Sequence, residues 1–368
     1  MSGILGSIPK IYYLIVVAVA AVIARLANAD PTLVFILSAI GLIPLAKLIG
    51  DATEELAVFT GPRLGGLLNA TLGNAAELII TIFAIQAGLL DLVRASIIGS
   101  IIGNLLIVLG LSVFLGGWKN GIQTFDRRTA STNATLLILA VIALAIPSLF
   151  DRELVAVPNS ELLFSEGVAV VIIVLYGLSV FYSFRAPTVH AAEEAGVARE
   201  AAPAHEARWS LRTTVILLIA ATIGTAIVSE TLVGAVEPVV ESLGLTEFFL
   251  GIIIIPLIGN IAEHLVAVQV AIKNKMELSL AVSLGSSLQV ALFVAPVLVF
   301  ISLLFGQRLL LVFTDFELIV LFGASLIAAL IALDGETNWL EGAMLIAVYL
   351  IVALAFFFLP APTEALAH

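Results

Sequence analysis

The chain has 368 residues, of which 61% are hydrophobic and 12% charged, with a formal net charge of −11 and no cysteine. Average soluble domains carry roughly 25% charged residues, so a soluble enzyme or nucleic-acid binder is excluded. Mean hydropathy is +1.19, and apolar runs of roughly 17 or more residues recur along the whole chain. They lack the alternation of a membrane β-barrel. Disulfides and thiolate metal sites are excluded as well. The fold class is an all-α polytopic membrane protein.

A crossing helix needs about 20 apolar residues. Eleven crossings are expected, near 11–27, 32–50, 66–88, 92–115, 130–149, 162–184, 211–233, 247–271, 278–304, 315–333 and 339–359. The second and seventh run on past their apolar parts into Asp51–Phe59 and Val236–Leu243. The first run reads as a retained helix rather than a cleavable signal, because Arg25 ends it and no small-residue cleavage site follows. The longest polar stretch, 185–210, is the midpoint.

Positive charge in short loops marks the cytoplasmic side. With eleven crossings, 12 of the 16 Lys and Arg fall on the N-terminal side, leaving Arg25, Arg94, Arg152 and Arg308 opposite. The N-terminus is therefore expected in the cytoplasm and His368 on the far side.

Gly73-Asn74-Ala75-Ala76-Glu77 recurs as Gly259-Asn260-Ile261-Ala262-Glu263, an offset of 186. At that offset residues 72–113 align with 258–299 without gaps, with 11 identities in 42. They include Gly99/Gly285 and Ser100/Ser286. Apolar matches are common between membrane helices, but a paired Gly-Asn-x-Ala-Glu is not. The chain divides into a leading helix (1–28), a first five-helix repeat (29–184), an acidic linker (185–210) and a second five-helix repeat (211–368). Five is odd, so the two repeats cross in opposite senses. That is the inverted-repeat plan of secondary transporters, with the site near the midplane.

Glu77 and Glu263 each fall near the middle of a span. A charge at mid-bilayer costs about 2.5–3.5 kcal/mol on insertion scales, and two carboxylates brought together repel further. A bound cation or added protons can offset that cost, and alternation between the two is a coupling mechanism. Neither span offers a buried Lys or Arg, since Arg63 and Lys273 lie near helix ends. Asn74 stands three residues before Glu77, and Asn260 three before Glu263, so each pair shares a helix face. On the following helices Ser100 and Asn104 are i, i+4, and Ser286 and Gln289 are i, i+3. The expected metal set is Glu77, Glu263, Asn74, Asn260, Ser100, Asn104, Ser286 and Gln289. These hard oxygen ligands suit Ca²⁺, although any single Ser or Asn can instead bond its own backbone or a neighbouring helix. Gly73, Gly259, Pro256, Gly99, Gly103 and Gly285 point to interrupted helices, which free carbonyls and dipole ends for ions. Gly99-x-x-x-Gly103 also reads as a close-packing face.

Glu230 lies inside the seventh span and His264 beside Glu263; both join the two glutamates as proton-coupling candidates. His264 is turned about 100° from Glu263 and either titrates or bonds across helices. Glu54, Glu55, Glu237 and Glu241 either line an entrance or gate or, as the preferred reading, are solvated helix ends.

These residues resemble the cation/proton exchanger family of the Ca²⁺:cation antiporter superfamily, known from vacuoles and prokaryotes. The resemblance covers nearly the whole chain and is most specific at Gly73–Glu77, Gly259–His264, Gly99–Asn104 and Gly285–Gln289. It implies Ca²⁺ and proton sites at Glu77 and Glu263, and export of Ca²⁺ from the cytoplasm driven by protons through alternating access. It implies a prokaryotic plasma membrane or a vacuole-type membrane. The family's Glu-His pair appears only in the second repeat; the first has Glu77-Leu78. Ca²⁺ and H⁺ are then the partners, with the lipid bilayer, and no cofactor beyond the transported ion is expected. The alternatives are a Na⁺/Ca²⁺ exchanger and a Mn²⁺/H⁺ antiporter of the same superfamily. Asn74 and Asn260 stand where sodium-driven members tend to carry small hydroxyl residues and Pro, which favours protons. Asn260-Ile-Ala-Glu263-His264 resembles a zinc-hydrolase motif with its first His replaced, so an enzyme is not expected.

Overall fold

The computed structural model describes residues 9–154, 160–185 and 207–358. A 3₁₀ turn over Lys10–Leu14 leads into α1 (Ile15–Leu26). Asp30 caps the next helix by accepting from the Thr32 and Leu33 amides at 2.9 and 3.2 Å, with Pro31 as its first residue. This α2 (Pro31–Gly61) ends where Gly61 takes φ +81°, a conformation few side chains adopt. A half-helix over 62–72 follows, then a break at Gly73–Asn74, then α3 (Ala75–Ala87). The first repeat continues with α4 (Leu90–Asn120), α5 (Arg127–Leu154) and α6 (Ser160–Arg185).

The second repeat follows the same order. It opens with α7 (Leu211–Leu243), capped by Ser210. Then come α8 (Glu247–Gly259), a break at Asn260 and α9 (Ile261–Ile272), bent by 62°. It closes with α10 (Met276–Leu304), α11 (Asp315–Asp334) and α12 (Trp339–Phe358). Two short strands, β1 (Gln123–Thr124) and β2 (Glu336–Thr337), pair antiparallel and join the repeats at one face.

The chain is thus a helical membrane protein. Among the described residues eight helices are long and apolar enough to cross a bilayer, and α8 with α9 makes a bent ninth. The other two expected crossings are a 12-residue α1 and the interrupted 62–72/α3 pair. The expected run-on into Asp51–Phe59 and Val236–Leu243 is present, in α2 and α7.

The repeat has a local signature as well. α4 widens to a π-helix over Gly103–Val108, and α10 does so over Val290–Val294. The offset of 186 carries the second onto 104–108. Such widenings relieve a helix where a side chain or ligand demands room. The second span of each repeat's core is therefore widened rather than broken; the breaks beside the two glutamates fall at Gly73–Asn74 and Asn260, and α8 has a π stretch of its own over Leu250–Ile254.

α4 is the most buried of the long helices, with Leu92, Ile97, Ile98, Ile101 and Leu105 in the core. Its contact with α8 is backbone to backbone. A Cβ at Gly99 would lie 2.1 Å from the Ile252 carbonyl oxygen, and one at Gly251 would lie 2.6 Å from that of Leu92. The close-packing reading of Gly99 holds; a Cβ at Gly103 would meet nothing within 4 Å.

Candidate functional site

The two helix breaks face each other, and each motif glycine makes room for the other repeat's glutamate. A Cβ at Gly73 would sit 2.9 Å from Glu263 Oε1. One at Gly259 would sit 3.4 Å from Glu77 Cβ. The helix starts after the breaks place Glu77 and Glu263 in the first turns of α3 and α9. Free backbone N–H groups there favour a carboxylate.

Polar side chains of both repeats interlock around the pair. Ser100 Oγ donates to Glu77 Oε1, and Asn260 Nδ2 donates to Ser100 Oγ at 3.2 Å. Asn74 Nδ2 donates to Gln289 Oε1 at 2.7 Å, and Asn104 Nδ2 to Ser286 Oγ at 3.0 Å. Ser286 in turn lies within hydrogen-bonding reach of Glu263. All eight residues of the expected metal set are thus gathered in one place. Asn104 and Gln289, which are not strict repeat mates, each bond a residue of the opposite repeat.

Within the set, Glu77 Oε2, Asn260 Oδ1 and Glu263 Oε2 have no protein donor. None of the ion pairs among the described residues involves Glu77 or Glu263. Buried acceptors without donors fit a cation or an added proton. Access is unequal. Glu77, Asn74, Ser100, Asn104 and Asn260 are at most 1% exposed, whereas Glu263 is only half-buried. Thr71–Gly73 and Ile261–His264 are half-buried too, while most of Leu250–Asn260 is buried.

The structure does not bring Glu230 to this set. Its Oε1 pairs with Arg25 of α1 at 3.2 Å, and the side chain is 55% exposed. His264 follows Glu263 on α9 and is half-buried. Glu54, Glu237 and Glu241 are exposed as expected of helix ends, but Glu55 is not. It is 5% exposed and accepts from Arg208 N at 2.8 Å and Arg208 Nε at 2.6 Å. That bond raises the Arg208 guanidinium above its ordinary range. Nearby, Tyr12 and Lys47 both donate to Asp51. Residues 186–206, including His190, His205 and four glutamates of the linker, lie outside the described residues.

Sequence reasoning missed the glycine–glutamate contacts across the repeats. The signal was present: glycine and glutamate recur together at fixed spacing, and an inverted pair of breaks that meet must exchange partners.

Residues 31–185 and 213–358 match the sodium/calcium exchanger protein family. The chain belongs to that family. Within it, the chain is 47% identical over 341 residues to the Ca(2+)/H(+) antiporter of Synechocystis sp., covering 89% of this chain and 92% of that protein. It is 42% identical over 354 residues to the Ca(2+)/H(+) antiporter ChaA of Bacillus subtilis, covering 95% and 99%. The solved structure of native YfkE is 40% identical, with TM-score 0.83 over 95% of this chain and 100% of that one. The crystal structure of the H+/Ca2+ exchanger CAX shares the fold at 18% identity, with TM-score 0.70 over 95% of this chain and 91% of that one.

Proposed function

We propose that this sodium/calcium exchanger family member is a Ca²⁺/H⁺ antiporter working by alternating access. The observation that carries this reading is the meeting of Glu77 and Glu263 at paired helix breaks, with donor-free oxygens and no basic partner among the described residues. The names of its relatives as Ca(2+)/H(+) antiporters support it. The cargo is substrate, and no cofactor takes part. Glu77, Glu263 and Asn260 would offer their donor-free oxygens to Ca²⁺, with Asn74, Ser100, Asn104, Ser286 and Gln289 holding the frame. Protons arriving at the two carboxylates remove the charge that attracts the ion, so Ca²⁺ and protons compete for one place. The neutralised pair then returns without an ion.

The chain would be organised as a leading helix over 1–28, repeats over 29–184 and 211–368, and a linker between them. The positive-charge bias supports a cytoplasmic N-terminus, in a prokaryotic plasma membrane or a vacuole-type membrane, with Ca²⁺ leaving the cytoplasm.

Purified protein in liposomes with an imposed pH gradient and no Na⁺ tests the reading. Ca²⁺ uptake driven by the gradient alone is expected. Uptake that requires Na⁺ would move the chain to sodium-driven exchange. Uptake of Mn²⁺ but not Ca²⁺ would overturn the cargo.

A further inference from the structure

Three buried serine hydroxyls outside the set described above have no protein partner: Ser96, Ser279 and Ser283 Oγ. Each is at most 1% exposed. A serine within a helix commonly settles its hydroxyl on the carbonyl one turn earlier, as Ser287 does on Ser283 O at 2.9 Å. These three do not, and an unpaired hydroxyl in a low-dielectric interior is costly.

Their positions continue the site along two helices. On α4, Ser96, Ser100 and Asn104 are spaced i, i+4, i+8, on one face. Ser100 donates to Glu77. Ser96 is one further turn, about 6 Å, toward the Leu90 end. On α10, Ser279, Ser283 and Ser286 are spaced i, i+4, i+7, again on one face. Ser283 and Ser279 step from Ser286, beside Glu263, toward the Met276 end. The two helices run antiparallel. Asn120, at the end of α4, donates to the Ala271 and Ile272 carbonyls at 3.3 and 3.2 Å, and Gln123 donates to Asn274 at 3.0 Å. The end of α4 therefore lies beside the start of α10, and the two serine rows leave the site in opposite directions.

A cavity of about 310 Å³ opens at the same end of α10, on the face of Met276, Leu280 and Leu284 rather than that of Ser279 and Ser283. Asn133 is 1% exposed there, and its Oδ1 has no donor. Other unpaired buried hydroxyls do not continue the site. Ser38, Thr225 and Ser229 are on α2 and α7, and Ser112 is separated from Asn104 by two turns of apolar residues.

We infer that the rows are two half-paths of opposite polarity: Ser96 lines the passage from Glu77 to the far side, and Ser283 and Ser279 line the passage from Glu263 to the N-terminal side. What would pass is a proton or a partly hydrated divalent cation, since a hydroxyl both donates and accepts. The cargo rests on the exchange reading above; the two directions rest on the helix geometry alone.

The chain has no cysteine, so Ser96→Cys, Ser279→Cys and Ser283→Cys each introduce a single thiol. Membrane vesicles of both orientations would be treated with 2-(trimethylammonium)ethyl methanethiosulfonate, an impermeant cation, and modification read by mass. Lys273→Cys and Arg308→Cys report the N-terminal and far faces. Modification of S279C and S283C from the N-terminal face only, and of S96C from the far face only, is expected, each slowed at least fivefold by saturating Ca²⁺. Modification of S96C and S283C from the same face would overturn the assignment, as would none at either while both controls react. Should a cysteine variant fail to fold, S96A and S283A carry the test. Exchange slowed at least fivefold with Ca²⁺ affinity held within twofold supports the paths, and unchanged exchange overturns them. Opposite-sided labelling of the cysteine variants, together with a wild-type chain that moves no Ca²⁺, would keep the paths and sink the exchange reading.

Discussion

Gly73 of the first repeat lies directly against Glu263 of the second, so close that a Cβ there would stand 2.9 Å from the carboxylate oxygen. The same atom would lie 2.6 Å from the Asn69 carbonyl, which leaves it no direction of escape. The reciprocal contact, Gly259 with Glu77, is looser at 3.4 Å. The symmetry of the sequence is therefore kept in kind but not in tightness.

That difference predicts unequal mutants. Gly73→Ala pushes Glu263 from its place and should weaken Ca²⁺ binding at least tenfold, while Gly259→Ala should weaken it by threefold or less. Titration calorimetry on purified variants checks this. Equal losses would mean that the glycines serve the breaks rather than the opposite carboxylates.

The meeting of the eight polar residues and the run-on of α2 and α7 were legible in the sequence because charged and amide groups are expensive in a membrane and so few positions compete. The contact of Gly73 with Glu263 was not, because it depends on how two broken helices cross. Glu55 was misread for a related reason. Exposure was inferred from its place at a helix end, whereas Arg208, more than 150 residues on, covers it. The partner of Glu230 was equally hidden: its place inside a span suggested a coupling role, and Arg25 of the leading helix reaches it.

Gly99 serves packing rather than ion binding. Its Cβ would overlap the Ile252 carbonyl at 2.1 Å, and neither α4 nor α8 can yield without moving a fully buried core. Gly99→Ala should destabilise the protein by about 1–3 kcal/mol, read as a lowered thermal midpoint in detergent. An unchanged midpoint would contradict the backbone contact.

Asp126 precedes α5 and accepts from the Thr129 amide at 2.9 Å and its hydroxyl at 2.5 Å. The Thr129 hydroxyl, followed by its amide, holds this carboxyl below the usual range. A depressed carboxyl contributes stability that is full above its unfolded value, near pH 4, and lost as pH falls through the folded one. Unfolding curves should therefore show the wild type and Asp126→Asn diverging at neutral pH and converging in acid below about pH 4. A gap that persists in strong acid would assign the difference to packing.

Glu55 and Arg208 fasten the end of the linker to α2. Arg208→Ala leaves the buried Glu55 without its cation, whereas Glu55→Gln leaves only an exposed arginine. Arg208→Ala should therefore be the more destabilising. Thermal unfolding of both variants settles the order, and the reverse order would contradict the burial of Glu55.

The central claim is that Ca²⁺ and protons compete for the same two carboxylates. The most direct measurement is the proton yield of Ca²⁺ binding, obtained by calorimetry of the purified protein in two buffers of different ionisation enthalpy. The wild type should release protons as it binds, and Glu77→Gln and Glu263→Gln should lose both the binding and the release. Ca²⁺ bound at these residues with no proton released would contradict the account.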